Sequence, residues 1–437
     1  MTGAFPASPR LSRAFYNLAG MELWERFSLH GMRSLLTLYL LHQVLADGGA
    51  GAWGVPTIRH DLEALWGPLS VLALTSQIYG VYVASTYLAV PVGGLLGDCL
   101  FGRRRAVLIG AVVAGVGHAC LIWPFLLVPA LLMLIAGTGL LKANLAAQLG
   151  DLHPRDDPDR GMAFARYLVF LNIGVMLGPL VCGWLGHRFG WQFGFAAASL
   201  AMLAGLSLYA GVPEVSRCSR RADRAEWAQP SEGSILLALA TIGVTILAFS
   251  AYEQVSNLFL VWIERTIPLD VGGFVIPPAW FVAADGVLTI VMVFLSSRVP
   301  LVMRMSGGDR LIAGCLAIVT GYVLLSGVSL RGVGAVWEPL SVLACLDMGI
   351  ALIWPAALEI VTAAAPDGWS GVMVGLFYLH GFFANLAVGA IGALYERMAP
   401  PMFWALHAGI AGAGLVLALL LRPHLAGRAR AIDLVAA

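Results

Sequence analysis

Charge is what this sequence has least of: Asp, Glu, Lys and Arg make up 12% of its 437 residues, about half the share of an ordinary soluble domain. With 59% of the residues hydrophobic, such a chain belongs in a bilayer. Polar stretches long enough to fold as a soluble catalytic domain are missing. Strict apolar–polar alternation is missing too, which excludes a membrane β-barrel. Neither Gly-x-Ser-x-Gly nor His-Glu-x-x-His occurs, so no enzyme is expected. The six cysteines, Cys99, Cys120, Cys182, Cys218, Cys315 and Cys345, lack metal-ligand spacing and read as small apolar fillers, so neither a metal nor another cofactor is expected. A net charge of +1 predicts no nucleic-acid partner. Met1 to Ala14 lacks a short apolar core with a small-residue cleavage site, and is read as carrying no removable signal peptide.

What is abundant is continuous apolar sequence. Stretches of about 20 residues fall near 15–45, 70–98, 104–126, 129–150, 162–188, 190–212, 233–262, 277–299, 311–330, 337–364, 369–395 and 401–422. Twelve helices fill nearly the whole chain. The one clear linker, 213–232, is charged and separates an N-terminal six-helix bundle (1–212) from a C-terminal one (233–437). Pseudo-symmetric halves of this kind place a cargo site at their interface near the bilayer midplane and work by rocking. If the helices alternate, most arginines, Arg103, Arg104, Arg105 and Arg217 to Arg224 among them, fall on one side; only Arg59, Arg188, Arg265, Arg331 and Arg397 fall on the other. By the positive-inside rule both termini are cytoplasmic. Pro91, Pro179 and Pro355 read as kinks, and Gly93 and Gly94 as close-packing positions.

An ionisable side chain at the bilayer centre costs about 2.5–3.5 kcal/mol, so each one inside a span is a functional hypothesis. Glu22, Arg26 and Arg33 share one face of the first helix, with Glu25 beside it. Lys142, the only lysine in the chain, lies in the fourth span; its ammonium exchanges protons more readily than a guanidinium, although a lysine can also snorkel to the interface. Glu253 in the seventh span is the natural acidic partner of an N-terminal-half arginine. Asp285, and Asp347 with Glu359 around Trp354-Pro355, either face a cavity or sit near a helix end. Gly94, Asp98, Gly102, Arg103 and Arg104 mark a tight turn between the second and third helices, a conformational latch or a topology-fixing loop. Among the polar and aromatic positions that could line a cavity, Tyr82, Tyr87, Asn172 and Trp280 are read as lying within a turn or so of the buried charges.

These landmarks together resemble the proton-dependent oligopeptide transporter family of the major facilitator superfamily. The carrying motifs are Glu22-Leu-Trp-Glu25-Arg26 through Gly31-Met32-Arg33, Gly139-Leu-Leu-Lys142-Ala-Asn144 through Asp151, Phe170-Leu-Asn172-Ile-Gly174, and Tyr252-Glu253-Gln254. The resemblance implies an all-α membrane protein of the bacterial inner membrane with the major facilitator fold. It implies a symporter of di- or tripeptides or peptide-like compounds that uses the proton gradient and no cofactor, is monomeric, and has protons, a small peptide and the lipid bilayer as its partners. Carried over, Glu22, Glu25, Arg26, Lys142 and Glu253 couple protons, and Arg33 with Glu253 forms a salt bridge that opens on protonation. Arg26 and Lys142 face the carboxylate end of the cargo and Asn172 its backbone; Tyr82, Tyr87, Trp280, Asp285 and Glu359 are added from their own positions as further candidates for the cargo site.

Departures are concentrated. Leu29 and His30 stand where the family has two tyrosines, Ile350 where it has a tenth-helix glutamate that holds the peptide's amino group, and Asp285 where it has an asparagine. The linker is too short for the extra helix pair of bacterial members. An exporter, or a carrier of a peptide-derived metabolite without a free amino terminus, is therefore the competing reading; a non-transporting sensor is the third.

Overall fold

A computed structural model describes residues 12–153, 157, 159–212, 232–365 and 370–436. Most of the expected linker and Cys218 lie outside the described residues. Among those described, twelve long helices run in chain order: α1 (Arg13–Tyr39), α2 (Val71–Leu96), α3 (Arg103–Cys120), α4 (Leu127–Leu152), α5 (Arg160–Phe189), α6 (Trp191–Tyr209), α7 (Glu232–Tyr252), α8 (Ala279–Ser296), α9 (Gly307–Arg331), α10 (Trp337–Ala363), α11 (Ser370–Tyr378 and His380–Gly392) and α12 (Pro400–Ala436). Ten of them are long and apolar enough to cross a membrane. The other two, α1 and α3, carry the first-helix charge cluster and the run Arg103-Arg104-Arg105. Ser12, Ser70 and Ser306 cap α1, α2 and α9, each accepting a backbone N–H three residues on.

The structure departs from the sequence expectation in four places. The seventh span is broken: α7 ends at Tyr252, a 3₁₀ turn covers Glu253–Ser256, and a helix resumes over Leu258–Thr266. The eleventh span is interrupted at Leu379. An extra helix, Val55–Trp66, with Pro56 in its first turn, follows α1. A two-stranded hairpin, β1 (Asp270–Val271) and β2 (Phe274–Val275), precedes α8.

Buried apolar side chains form two clusters. One runs from Phe15 to Val212 and is joined by Ala279, Val388 and Ala393; the other runs from Ala238 to Ala418 and is joined by Leu38 and Leu72. These few exchanged residues mark the seam, where α2 crosses α11 and α5 crosses α8. The α2–α11 crossing is tight because no side chains intervene: a Cβ on Gly80 would lie 2.6 Å from the Asn385 carbonyl oxygen, and one on Gly392 only 1.8 Å from Ser76 Oγ. Within the N-terminal half the same device clamps α5 to α1, where a Cβ on Gly174 or Gly178 would fall 2.2–2.3 Å from the carbonyl oxygens of Leu23 and Phe27.

Hydrogen bonds between the halves close one end of this seam. Thr37 donates to the Ser256 carbonyl at 3.1 Å, Asn257 Nδ2 to Ser76 Oγ at 2.7 Å, and Trp280 Nε1 to the Leu180 carbonyl at 3.1 Å; His42 meets Glu264 at 2.7 Å. All lie away from the end that carries Arg103 to Arg105. At that arginine-rich end the described residues show no such tie between the halves.

Candidate functional site

Helical spacing builds the first cluster. Four residues apart on α1, Arg26 Nε donates to Glu22 Oε1 at 2.7 Å and stands 3.3 Å from Glu25 Oε2; both glutamates are 2% exposed. Tyr167 of α5 donates to the other Glu22 oxygen at 2.6 Å, held there because Gly174 and Gly178 bring α5 against α1. The sequence reading missed Tyr167, since nothing in a lone tyrosine before an apolar run marks it.

Lys142 of α4 lies within electrostatic reach of Glu22, Glu25, Arg26 and Arg33, with its ammonium 6.0 Å from the ring centroid of Tyr87. Among the described residues it forms no ion pair. It is half-buried and continuous with the cluster, so the snorkelling alternative fails. An unpaired ammonium beside two carboxylates that share one guanidinium is a site for an anionic group.

Seven residues beyond Arg26, Arg33 reaches across the seam. Its Nη2 lies 2.9 Å from Glu253 Oε2 and 3.0 Å from the Tyr79 hydroxyl, while the Tyr87 hydroxyl donates to Glu253 Oε1 at 3.3 Å. Glu253 sits at the first residue of the 3₁₀ turn that breaks the seventh span. A charge pair between halves, mounted on non-α backbone, can open without unwinding a helix. The Tyr82 hydroxyl is buried and unpartnered on the same face of α2.

Other expected contacts are placed elsewhere. Asn172 Nδ2 donates to the Leu168 carbonyl of its own helix at 2.7 Å. Trp280 uses its indole N–H on the Leu180 backbone and packs on Phe274, as a strut at the closed end. Glu359 is exposed one turn from the end of α10, and its carboxylate has no ion pair among the described residues. Asp347, named with it in the sequence, is instead 0% exposed and belongs with Asp285: the Tyr252 hydroxyl reaches Asp285 at 3.1 Å and Asp347 at 3.4 Å, and Thr289 donates to Asp347 at 2.6 Å. Ile350 is buried among apolar neighbours of the second cluster.

The turn between α2 and α3 is held by charge. Arg103 bridges Asp98 at 2.9 Å and Asp151 at 2.5 Å, tying the turn to the end of α4, and Arg104 donates to the Val212 carbonyl at 2.9 Å. Gly102 has φ +80°, a conformation that favours glycine, and a Cβ on Gly94 would lie 3.0 Å from Ala143 Cβ.

A family model described as Major Facilitator Superfamily matches residues 52–389. The chain is 26% identical to the peptide transporter YePEPT of Yersinia enterocolitica over 93% of this chain and 94% of that one. It is 34% identical to the di-/tripeptide transporter of Lactococcus lactis subsp. cremoris, over 45% of this chain and 37% of that one. A solved POT family transporter in complex with 5-aminolevulinic acid superposes with a TM-score of 0.79 at 19% identity, covering 95% and 96% of the two chains. The family model covers more than half of the chain, and the full-length likenesses extend over the charge pair and the lysine; the protein is a membrane transporter that belongs to the Major Facilitator Superfamily.

Proposed function

We propose that this protein is a proton-coupled symporter of di- or tripeptides or peptide-like compounds, working by alternating access as a monomer in the bacterial inner membrane with both termini in the cytoplasm. It is a carrier and not an enzyme, and draws on the proton gradient with no cofactor. The observation that carries the reading is the half-to-half bridge between Arg33 and Glu253, joined through Tyr87 to a lysine that has no ion pair among the described residues and lies within reach of Glu22 and Glu25. An anionic cargo terminus satisfies Lys142 and Arg26; a proton on Glu22 or Glu25 releases Arg26 to take part; a proton on Glu253 frees Arg33 and lets the closed end part. The arginine-rich end, where the described residues show no tie between the halves, is then the cytoplasmic one, and this conformation faces inward. The 213–232 linker joins the two bundles.

The second reading, an exporter or a carrier of a peptide-derived compound without a free amino terminus, draws on one observation: Ile350 is sealed in apolar packing where the family holds an amino group. The test is proton-driven uptake of dialanine into proteoliposomes, run beside a thermal-shift comparison of dialanine with its N-acetylated form. Accumulation against its gradient at acidic outside pH, lost when protonophore is added, supports symport. No accumulation, with stabilisation by the blocked peptide alone, supports the second reading.

A further inference from the structure

The C-terminal half contains a buried acid pair that the proposed mechanism leaves unused. Asp285 on α8 and Asp347 on α10 converge on one hydroxyl: that of Tyr252 lies 3.1 and 3.2 Å from the two Asp285 oxygens and 3.4 Å from Asp347 Oδ1. Ionised carboxylates only accept, so unless one of the two carries a hydrogen, every hydrogen bond to the pair has to come from its surroundings. The surroundings supply no substitute. Tyr252 and Thr289 each have one hydroxyl hydrogen; Thr289 also reaches the Asp285 carbonyl at 3.0 Å, and Tyr252 is divided between the two acids. Asp347 Oδ2 is fully buried and has no partner among the neighbouring donors.

Among the described residues no base touches the pair. The charged and titratable groups that face it are Tyr252 and Glu253 from the seventh span, Tyr322 from α9 and, at longer range, Arg33 from α1, which is already engaged by Glu253. Two negative charges bridged by one hydroxyl, deep in a bilayer and with no cation against them among the described residues, are not a stable arrangement.

We propose that Asp285 and Asp347 form a proton-binding centre in the C-terminal half, loaded with one proton in this conformation and emptied in the other. The exit is through Tyr252. It precedes Glu253 at the point where helix gives way to the 3₁₀ turn, so a shift of that turn on release of Arg33 moves the one hydroxyl shared by both acids. Asp285 is half-buried and gives the pair a face toward the seam, whereas Asp347 is sealed. The transport role rests on the proton-coupled reading above; the occupancy of the pair does not.

The test is an acid-to-alkaline jump on purified protein in nanodiscs, followed by infrared difference spectroscopy. The wild type should lose a carboxylic-acid C=O band on alkalinisation. Asp347→Asn should lack that band and release about one proton fewer per molecule, Asp285→Asn should lack it as well, and Glu22→Gln and Glu253→Gln should keep it. If Asp347→Asn does not fold, Asp285→Asn decides. A band present in both Asp variants, or one that persists in the wild type at every pH as a fixed structural hydrogen would, overturns the proposal. In proteoliposomes Asp347→Asn should lose proton-driven accumulation of dialanine at least ten-fold while keeping counterflow exchange; unchanged accumulation also overturns it. A wild type that ignores dialanine sinks the peptide reading and leaves the infrared result to decide the acid pair.

Discussion

The two halves handle charge differently. In the N-terminal half Glu22 and Glu25 share Arg26, with Lys142 nearby and unpaired, so acids and bases are balanced within one bundle. In the C-terminal half the acids near the seam, Glu253, Asp285 and Asp347, have no base of their own among the described residues: Glu253 borrows Arg33 from the other half, and the Asp pair is met there by the hydroxyl groups of Tyr252 and Thr289. A balanced cluster can pass a proton internally and stay neutral. An acid-only cluster needs positive charge from outside, from the opposite bundle or from a proton. The asymmetry thus makes the state of the seam depend on protonation.

That contrast can be broken from its strong side first. Lys142→Ala should lower proton-driven uptake of dialanine on the order of 100-fold while leaving the protein folded by size-exclusion and thermal melt; unchanged uptake would remove the lysine from the cycle. Arg33→Ala strands Glu253 and should cost about 3 kcal/mol of stability. The Arg33→Ala/Glu253→Ala double variant should recover at least about 1 kcal/mol of that loss, and an additive loss would mean the bridge carries no coupling. At the seam itself, Gly392→Val pushes a side chain into Ser76 and should lower stability by about 1–3 kcal/mol; a melt equal to the wild type would mean that the crossing is not tight. The smallest effect is expected from Tyr167→Phe, which removes one hydrogen bond to Glu22, about 1 kcal/mol, seen as a few-fold slower uptake with no change in melting. A larger loss would make Tyr167 part of the relay rather than its support.

Helix count and the identity of the buried charges were legible because both follow from local properties. A span needs only about 20 apolar residues, and a charge inside one is conspicuous wherever its partner lies. The extra helix Val55–Trp66 escaped because it is amphipathic and short of a span. The interruption at Glu253–Asn257 escaped because its residues read as helix formers in an apolar run; what stops the helix is tertiary, the demand that Thr37 and Ser76 be met across the seam by the Ser256 carbonyl and the Asn257 amide. Glu359 and Asp347 looked alike in sequence, twelve residues apart around Pro355. One turned out exposed near a helix end and the other fully buried.

By itself the sequence determined the membrane class, the twelve spans, the superfamily and most of the buried ionisable groups, since length, hydropathy and motif spacing are properties of the chain alone. Only the tertiary structure decided the partners. It set Tyr167 on Glu22, kept Lys142 from an ion pair, spent Asn172 and Trp280 on backbone carbonyls, and brought Asp285 to Asp347. The reason is that, Asn172 apart, these partners sit on different helices, and their distance depends on how closely the helices pack. Here that is governed by where Gly80, Gly174, Gly178 and Gly392 let backbones touch.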